Sequence, residues 1–160
     1  MIYSDAFMRR VLEDAQVIAM VGASTNPVRA SYFVASYLSA RGRRVIPINP
    51  AQAGEELFGE RVLSSLDEIE GPVDMLDIFR RSDHVPEIVD EALTHLMPGL
   101  KSVWMQFGVV HEGAAAKAEA AGLDVVMDRC PKVEMARLNR EIGAVGIASG
   151  VISSRLNRKV

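Results

Sequence analysis

The clearest pattern along the chain is an alternation of short apolar runs with segments of helical periodicity. The run Val17-Ile18-Ala19-Met20-Val21 ends at Gly22 without a polar interruption, which is typical of a parallel strand covered on both faces. Apolar residues at helical spacing follow from Phe33 to Leu38, and Gly42 stands where a helix commonly ends. The beginning of the chain therefore predicts a strand, a loop and a helix in sequence.

The same unit recurs, which favours an α/β fold with a mostly parallel sheet of five to six strands and helices on both faces. Pro47 is expected at a strand end or on an edge strand, because proline cannot donate to a central ladder. Ser82 is expected to cap a helix. The segment from Asn49 to Gly71 predicts only a loop, a minor strand and a short helix. Further strands are predicted at 45–48, 73–79, 102–107 and 123–127, and further helices at 4–14, after Ser82 and from Glu112 to Ala121.

Length and composition indicate one soluble domain over residues 1–160, with a core at about 15–140 and a C-terminal tail at 141–160. The tail is expected to pack back on the domain or to meet a neighbouring subunit. A net charge of −3 argues against a nucleic-acid partner. The single cysteine, Cys130, excludes an internal disulfide framework. The chain shows no secretory signal and no apolar run long enough for a membrane, so we expect a cytoplasmic protein.

Chemistry is expected beyond the carboxyl ends of the parallel strands, where ligands bind in open α/β sheets. Four segments should converge there: 22–29, 47–50, 79–81 and 106–108. No pair of His or Cys residues has a metal-ligand spacing, so no metal site is expected.

The first of these segments predicts an anion site. Gly22 permits close backbone approach, and the following helix start offers unpaired N–H groups and a positive dipole end. Hydroxyl donors at Ser24, Thr25 and Ser31, together with the guanidinium of Arg29, suit a phosphate group.

The same segment disfavours a nicotinamide dinucleotide. Such a site ordinarily uses G-x-G-x-x-G and an acid after the second strand, whereas Ser24 and Pro27 replace glycines and Asn49 stands near the acid's position. It also lacks the last glycine of a nucleophile elbow, because Asn26 stands there, which disfavours a serine hydrolase.

Four segments together resemble the stand-alone CoA-binding protein family. They read VGASTNPVRAS, YLSARGRRVIPINP, VDMLDIFRRSDHVPEIVDEAL and VWMQFGVVHEGAAAKAEAAGLDVVMDRCPK, within about Met20 to Arg137. That family is similar to the nucleotide-binding domain of the succinyl-CoA synthetase alpha subunit, so the resemblance implies a Rossmann-like fold that holds coenzyme A. Ala30 departs from a proline that is frequent in the family.

The resemblance also implies where coenzyme A (CoA) lies. Its phosphates would meet Gly22, Ala23, Ser24 and Arg29, with Ser31 nearby. The nucleotide would border Pro47, Asn49 and Pro50, and the crevice would be lined by Phe79, Arg80, Gln106 and Gly108.

Two further residues near the crevice carry expectations of their own. Arg129 and Lys132 flank Cys130 and could favour its thiolate, which suggests a redox thiol able to form a mixed disulfide with CoA. Asp77 is expected to form a hydrogen bond with the adjoining loop, or to accept one from a ligand hydroxyl.

The function expected from these observations is binding of CoA or an acyl-CoA by a non-catalytic carrier, sensor or regulatory module. A CoA ligase would need a nucleotide-activation site and a phosphorylatable histidine in a further domain. The alternatives are a CoA-dependent enzyme acting with an unknown partner protein, an NAD(P)-binding oxidoreductase or sensor, and a purely structural subunit.

Overall fold

A computed structural model describes residues 1–141, so the tail from 142 onward lies outside the described residues. Strands and helices alternate along the described chain, as the hydrophobic pattern predicts. The strands are Val17–Val21 (β1), Arg44–Ile48 (β2), Glu56–Leu57 (β3), Glu60–Arg61 (β4), Met75–Ile78 (β5), Ser102–Met105 (β6) and Asp124–Val126 (β7). The α-helices are Asp5–Asp14 (α1), Ala30–Ala40 (α2), Val85–His95 (α3), Glu112–Ala120 (α4) and Pro131–Leu138 (α5).

Five of the strands form one sheet in the order β2-β1-β5-β6-β7. Every neighbouring pair in it is parallel, which confirms the predicted α/β class and the Rossmann-like architecture. Pro47 lies in β2, opposite Met20 of β1. Because β2 is an edge strand, a residue without an N–H group is tolerated there.

The strand order reverses direction between β1 and β5. The chain moves outward from β1 to β2, and then returns across β1 to place β5 on its other side. The connecting helix α2 packs on one face of the sheet and α3 packs on the opposite face. The loops after β1 and β5 therefore diverge, and a crevice opens between the carboxyl ends of these two strands.

Alternating side chains of β1 pack into two separate cores, one on each face of the sheet. Ile18 and Met20 lie with the buried side chains of α1, α2 and α5. Ala19 and Val21 lie on the other face, with the buried side chains of α3 and α4. This two-sided burial explains why the strand sequence is apolar at every position.

Three local features differ from or extend the predictions. The expected cap at Ser82 is wrong: a 3-10 helix at Ser82–His84 precedes α3, and the Ser82 hydroxyl accepts a hydrogen bond from the Val110 amide at 3.0 Å. The irregular segment after Asn49 contains the β3–β4 hairpin and two short 3-10 helices. Helix α5 begins with Pro131 and was not predicted.

None of the helices within residues 1–141 combines the length and apolar character that a membrane span requires. The same residues contain no group of three or more His, Cys, Asp or Glu side chains arranged to hold a metal ion.

Candidate functional site

The turn after β1 requires glycine at its first position. Gly22 has φ +86°, and a Cβ atom there would lie 2.3 Å from the carbonyl oxygen of Phe79. That oxygen belongs to the loop after β5, so Gly22 lets the two diverging loops touch. The close approach places Phe79 and Arg80 directly beside the first loop.

Most amides of the first loop are already used by the protein. Ser24 N donates to Ser31 Oγ at 3.1 Å, Thr25 N donates to Gln52 Oε1 at 3.1 Å, and Asn26 N donates to Ser24 Oγ at 3.1 Å. The Thr25 hydroxyl donates to Glu55, so the expectation that Thr25 offers a free hydroxyl donor is wrong. These bonds tie the loop to the start of α2 and to the segment after β2.

The open donors are found instead at the start of α2. Its N-cap residue, Arg29, makes no side-chain capping bond, and the amides of Ala30 and Ser31 donate to no residue within 1–141. Unpaired N–H groups in the first turn of a helix attract anions. The predicted anion site is therefore confined to this first helical turn and the hydroxyls beside it.

Asn49 fixes the other wall of the crevice. Its Nδ2 donates to the Ala23 carbonyl at 2.7 Å, and its Oδ1 accepts from the Ala51 amide at 3.1 Å. With both ends of the amide engaged, Asn49 holds the loop after β2 against the loop after β1. Asn49 stands near the place of a ribose-binding acid, but its side chain carries no negative charge.

A polar cavity of about 600 Å³ lies above these loops. The described residues that line it include two arginines and no carboxylate, and neither arginine forms an ion pair within residues 1–141. Such a lining attracts a polyanion. The lining residues are Gly22, Ser24, Asn26, Arg29, Ala30, Ser31, Asn49, Ala51, Gln52, Phe79 and Arg80.

A second, largely apolar cavity of about 490 Å³ adjoins the first. Ala30, Phe79 and Arg80 line both cavities, so these three residues form their common border. The remaining lining residues are Val34, Arg81, Gln106, Phe107, Gly108, Val109, Cys130, Lys132 and Val133.

The structure brings most of the predicted site residues to these two cavities. Three others do not line either one: Ala23 lies buried beneath the loop, Pro47 lies within β2, and Pro50 begins a short 3-10 helix. Those on the polar side are Gly22, Ser24, Arg29, Ser31 and Asn49, those shared are Phe79 and Arg80, and those on the apolar side are Gln106, Gly108 and Cys130.

A buried hydrogen bond lies at the edge of the apolar cavity. Gln106 is 5% exposed, and its Nε2 donates to Asp77 Oδ1 at 2.8 Å. Asp77 is 0% exposed, and its Oδ2 has no hydrogen-bond partner within residues 1–141. Burial raises the pKa of Asp77 to about 7, and the bond from Gln106 opposes that rise. The expected hydrogen bond of Asp77 is thus made with the residue that follows β6.

Cys130 differs from the expectation for its thiol. It is 6% exposed, and burial raises its pKa to about 11, with a further contribution from the Asp77 charge. The prediction that neighbouring cations favour the thiolate is therefore wrong, because the loss of hydration outweighs their attraction. Lys132 is itself 5% exposed, and burial lowers the pKa of its ammonium group. The mixed disulfide between Cys130 and CoA stays a prediction.

Several lining residues were missed at the level of sequence. Ala30, Val34 and Val133 carry no polar atom on their side chains and gave no signal. Lys132 was considered only for its charge beside Cys130, and its burial follows from the packing of α5 against α2. Gln52 carries a detectable signal, since a polar residue shortly after a strand end is a candidate for holding the neighbouring loop.

The chain belongs to the CoA binding domain family, whose pattern matches residues 16–136. A curated protein described as Uncharacterized protein YneT, from Bacillus subtilis (strain 168), is 37% identical over 130 residues, covering 81% of this chain and 93% of that protein. The solved structure of cell-free ID.343 from Thermus thermophilus is 39% identical, with a TM-score of 0.79, over 85% of this chain and 99% of that one. A hypothetical protein from Pyrococcus horikoshii OT3 is 34% identical, with a TM-score of 0.78, over 86% and 93% of the two chains.

Proposed function

We propose that this protein binds coenzyme A or an acyl-CoA, with the phosphates in the polar cavity and the pantetheine arm in the apolar one. The observation that carries the proposal is that two unlike cavities adjoin, with Ala30, Phe79 and Arg80 in the lining of both. CoA has the matching division, because a polyanionic nucleotide is joined to a long, weakly polar arm. The family supports the same ligand.

Charge assigns the nucleotide to the polar cavity. Arg29 and Arg80 supply guanidinium groups that form no ion pair with residues 1–141, and the amides of Ala30 and Ser31 supply neutral donors at the positive end of α2. A phosphate that meets a guanidinium and backbone N–H groups together forms charge-assisted hydrogen bonds, which are stronger than neutral ones. The pyrophosphate and the 3′-phosphate of CoA would share these groups.

The arm would then pass over Phe79 towards Gln106 and Cys130. Along this route the arm would pack against the apolar side chains of Val34, Val109 and Val133. Its amide groups would meet Gln106. A dinucleotide such as NAD has a polar nicotinamide ribose in place of this arm and lacks a matching apolar feature.

We further propose that the protein acts as a carrier, sensor or regulatory module for CoA. The described residues that line the two cavities include no histidine, and the one thiol among them is held protonated by burial. A CoA-dependent enzyme completed by a partner protein is the alternative. Incubation of the isolated protein with acetyl-CoA, with thiol release as the readout, tests whether the chain is catalytic by itself: steady turnover would contradict a non-catalytic role.

Isothermal titration calorimetry with CoA, dephospho-CoA, NAD and NADP tests the ligand. We expect CoA to bind most tightly and dephospho-CoA more weakly, because dephospho-CoA lacks the 3′-phosphate that the arginines would meet. Tighter binding of NAD or NADP than of CoA would contradict the assignment. Adenosine 3′,5′-bisphosphate is a useful control, since it retains the 3′-phosphate without the arm.

A further inference from the structure

The least expected feature of the apolar cavity is the carboxyl group buried behind it. Asp77 lies in β5 between Met20 of β1 and Trp104 of β6, both of which are 0% exposed. It forms no ion pair with any residue in the described part of the chain. An unpaired carboxylate in such surroundings is costly, and the cost falls when the group is hydrogen-bonded or protonated.

The only side chain that bonds to Asp77 within residues 1–141 is Gln106, which also lines the cavity. Because Gln106 Nε2 is committed to Asp77 Oδ1, its Oε1 remains as the polar atom available to a ligand, and no residue within 1–141 donates to it. Gln106 therefore connects a buried acid with the interior of the cavity.

The direction of this amide depends on the state of the acid. A carboxylate can only accept, so it holds Gln106 with the NH₂ group inward and the oxygen towards the cavity. A carboxylic acid can also donate through its own O–H, so it can pair with the amide oxygen and leave the NH₂ group facing the cavity. The cavity therefore presents only an acceptor while Asp77 is ionised, and a donor becomes available when Asp77 is protonated.

We propose that Asp77 is a positioning residue that orients the amide of Gln106 and thereby selects which polar group of the pantetheine arm the cavity binds. An acceptor at Gln106 suits an amide N–H of the arm, and a donor suits an amide or thioester carbonyl. The proposal rests on the proposed placement of the arm in the apolar cavity, and it adds a residue that does not itself touch the ligand.

The groups around Asp77 limit what else could control this orientation. The adjacent strands contribute Met20 and Trp104, which do not titrate, and α2 contributes the apolar Val34 to the same cavity. The start of α5 contributes the titratable groups Cys130 and Lys132. Burial raises the pKa of Asp77 to about 7, so its two states exchange at an accessible pH.

The experiment measures the contribution of the arm alone. Calorimetry gives the dissociation constants of CoA and of the terminal methyl ester of 3′-phospho-ADP, whose diphosphate is a diester as in CoA but carries no arm, at about pH 6 and about pH 8. The constant of the methyl ester divided by that of CoA is the arm ratio; it reports the arm, and the titration of the 3′-phosphate, which both ligands carry, cancels in it. In the natural protein we expect this ratio to change about threefold to tenfold between the two pH values, the effect of roughly one hydrogen bond.

Two variants assign the effect. Asp77→Asn always has a donor for the amide oxygen of Gln106, so the ratio should become independent of pH. Gln106→Leu removes the reporting amide but keeps the acid, so the arm ratio should fall about threefold to tenfold and also lose its pH dependence. Asp74→Asn, close in sequence but outside both cavities, is the matched control and should retain the natural profile.

The outcomes are distinguishable. If CoA and the methyl ester both fail to bind, the proposed function itself is wrong. If CoA binds but Gln106→Leu leaves the arm ratio and its pH profile unchanged, Asp77 and Gln106 do not position the arm and the inference is overturned. A pH profile that persists in Asp77→Asn would place its origin at Cys130 or Lys132, which equally overturns it. Should Asp77→Asn fail to fold, Gln106→Leu alone still decides.

Discussion

The polar and apolar cavities meet at Phe79 and Arg80 but treat polar groups in opposite ways. On the polar side, the amides of Ser24 and Thr25 donate to other protein groups. The guanidinium groups of Arg29 and Arg80 and the first two amides of α2 have no such partner within residues 1–141. On the apolar side, Gln106 donates a hydrogen bond to Asp77. Burial raises the pKa of Cys130 and lowers that of Lys132, and both shifts favour the neutral form of the side chain.

This difference shows how one crevice can suit a ligand that has a charged part and a weakly polar part. The polar half presents arginines and the first-turn amides of α2, which suit a charged group. In the apolar half, burial disfavours the charged forms of Asp77, Cys130 and Lys132. Substitutions in the two halves should therefore differ in kind as well as in size.

The largest effect is expected at the contact that joins the two loops. Gly22→Ala must combine an unfavourable positive φ with a clash against the Phe79 carbonyl, so we expect a loss of about 2–5 kcal/mol in the free energy of unfolding. Gly42→Ala is the matched control, because Gly42 has φ +78° but nothing within 4 Å of the added Cβ. Urea denaturation checks both, and equal losses would show that the contact with Phe79 is unimportant.

The next effect concerns the apolar half and its dependence on pH. Because the folded pKa of Asp77, about 7, exceeds its ordinary value, the folded protein binds this proton more tightly than the unfolded chain. The stabilisation is complete below about pH 4 and is lost as pH rises towards about 7, with a slope of at most about 1.4 kcal/mol per pH unit.

Urea denaturation at several pH values measures that slope. Asp77→Asn should remove the loss of stability on raising the pH. Asp74 provides the contrast, because its bonds with Lys101 and with the Val17 amide outweigh burial and lower its pKa, so its contribution is lost as the pH falls. Identical pH profiles for the natural protein and Asp77→Asn would contradict the burial of a titrating acid at this position.

A smaller effect is expected for the cations of the polar half. Arg29→Ala should weaken CoA by about 1.5–3 kcal/mol if the guanidinium meets a phosphate, and should weaken 3′-phospho-ADP by the same amount. Arg61→Ala, which removes an exposed arginine outside both cavities, controls for net charge. An unchanged affinity in Arg29→Ala, measured by calorimetry at low salt, would remove this residue from the site.

The smallest effect is expected at Ser31. Its hydroxyl accepts a bond from the Ser24 amide, so Ser31→Ala leaves a loop donor unpaired and should weaken CoA by about 0.5–1.5 kcal/mol. Ser39→Ala lies further along the same helix, away from both cavities, and should leave the affinity unchanged. Equal affinities for the two variants would show that the loop keeps its shape without this bond.

The fold could be predicted because each apolar run alternates with a helical pattern along the chain, and a parallel sheet satisfies that order. The polar half was predicted for a similar reason: Gly22, Ser24, Arg29 and Asn49 all follow strand ends. The bonds that occupy the amides of Ser24 and Thr25 were not predicted: Ser31 and Gln52 lie 7 and 27 residues further along the chain, and their side chains meet these amides only in the folded protein.

The apolar half was harder to predict because it depends on register and on helix packing. Gln106 reaches Asp77 only because β5 and β6 pair with Asp77 opposite Trp104. The thiol of Cys130 was expected to favour its thiolate, yet its burial by α5 and the sheet has the larger influence on its pKa. The sequence shows which charged residues flank Cys130, but it does not show that folding removes water from the thiol.

The most direct test of the central claim is the response of individual backbone amides to CoA in nitrogen-15 heteronuclear NMR. We expect the Ala30 and Ser31 amides to show the largest shifts with both CoA and 3′-phospho-ADP, and the residues of the apolar cavity, such as Val133, to respond to CoA alone. Saturating CoA that leaves Ala30 and Ser31 unmoved would contradict the account.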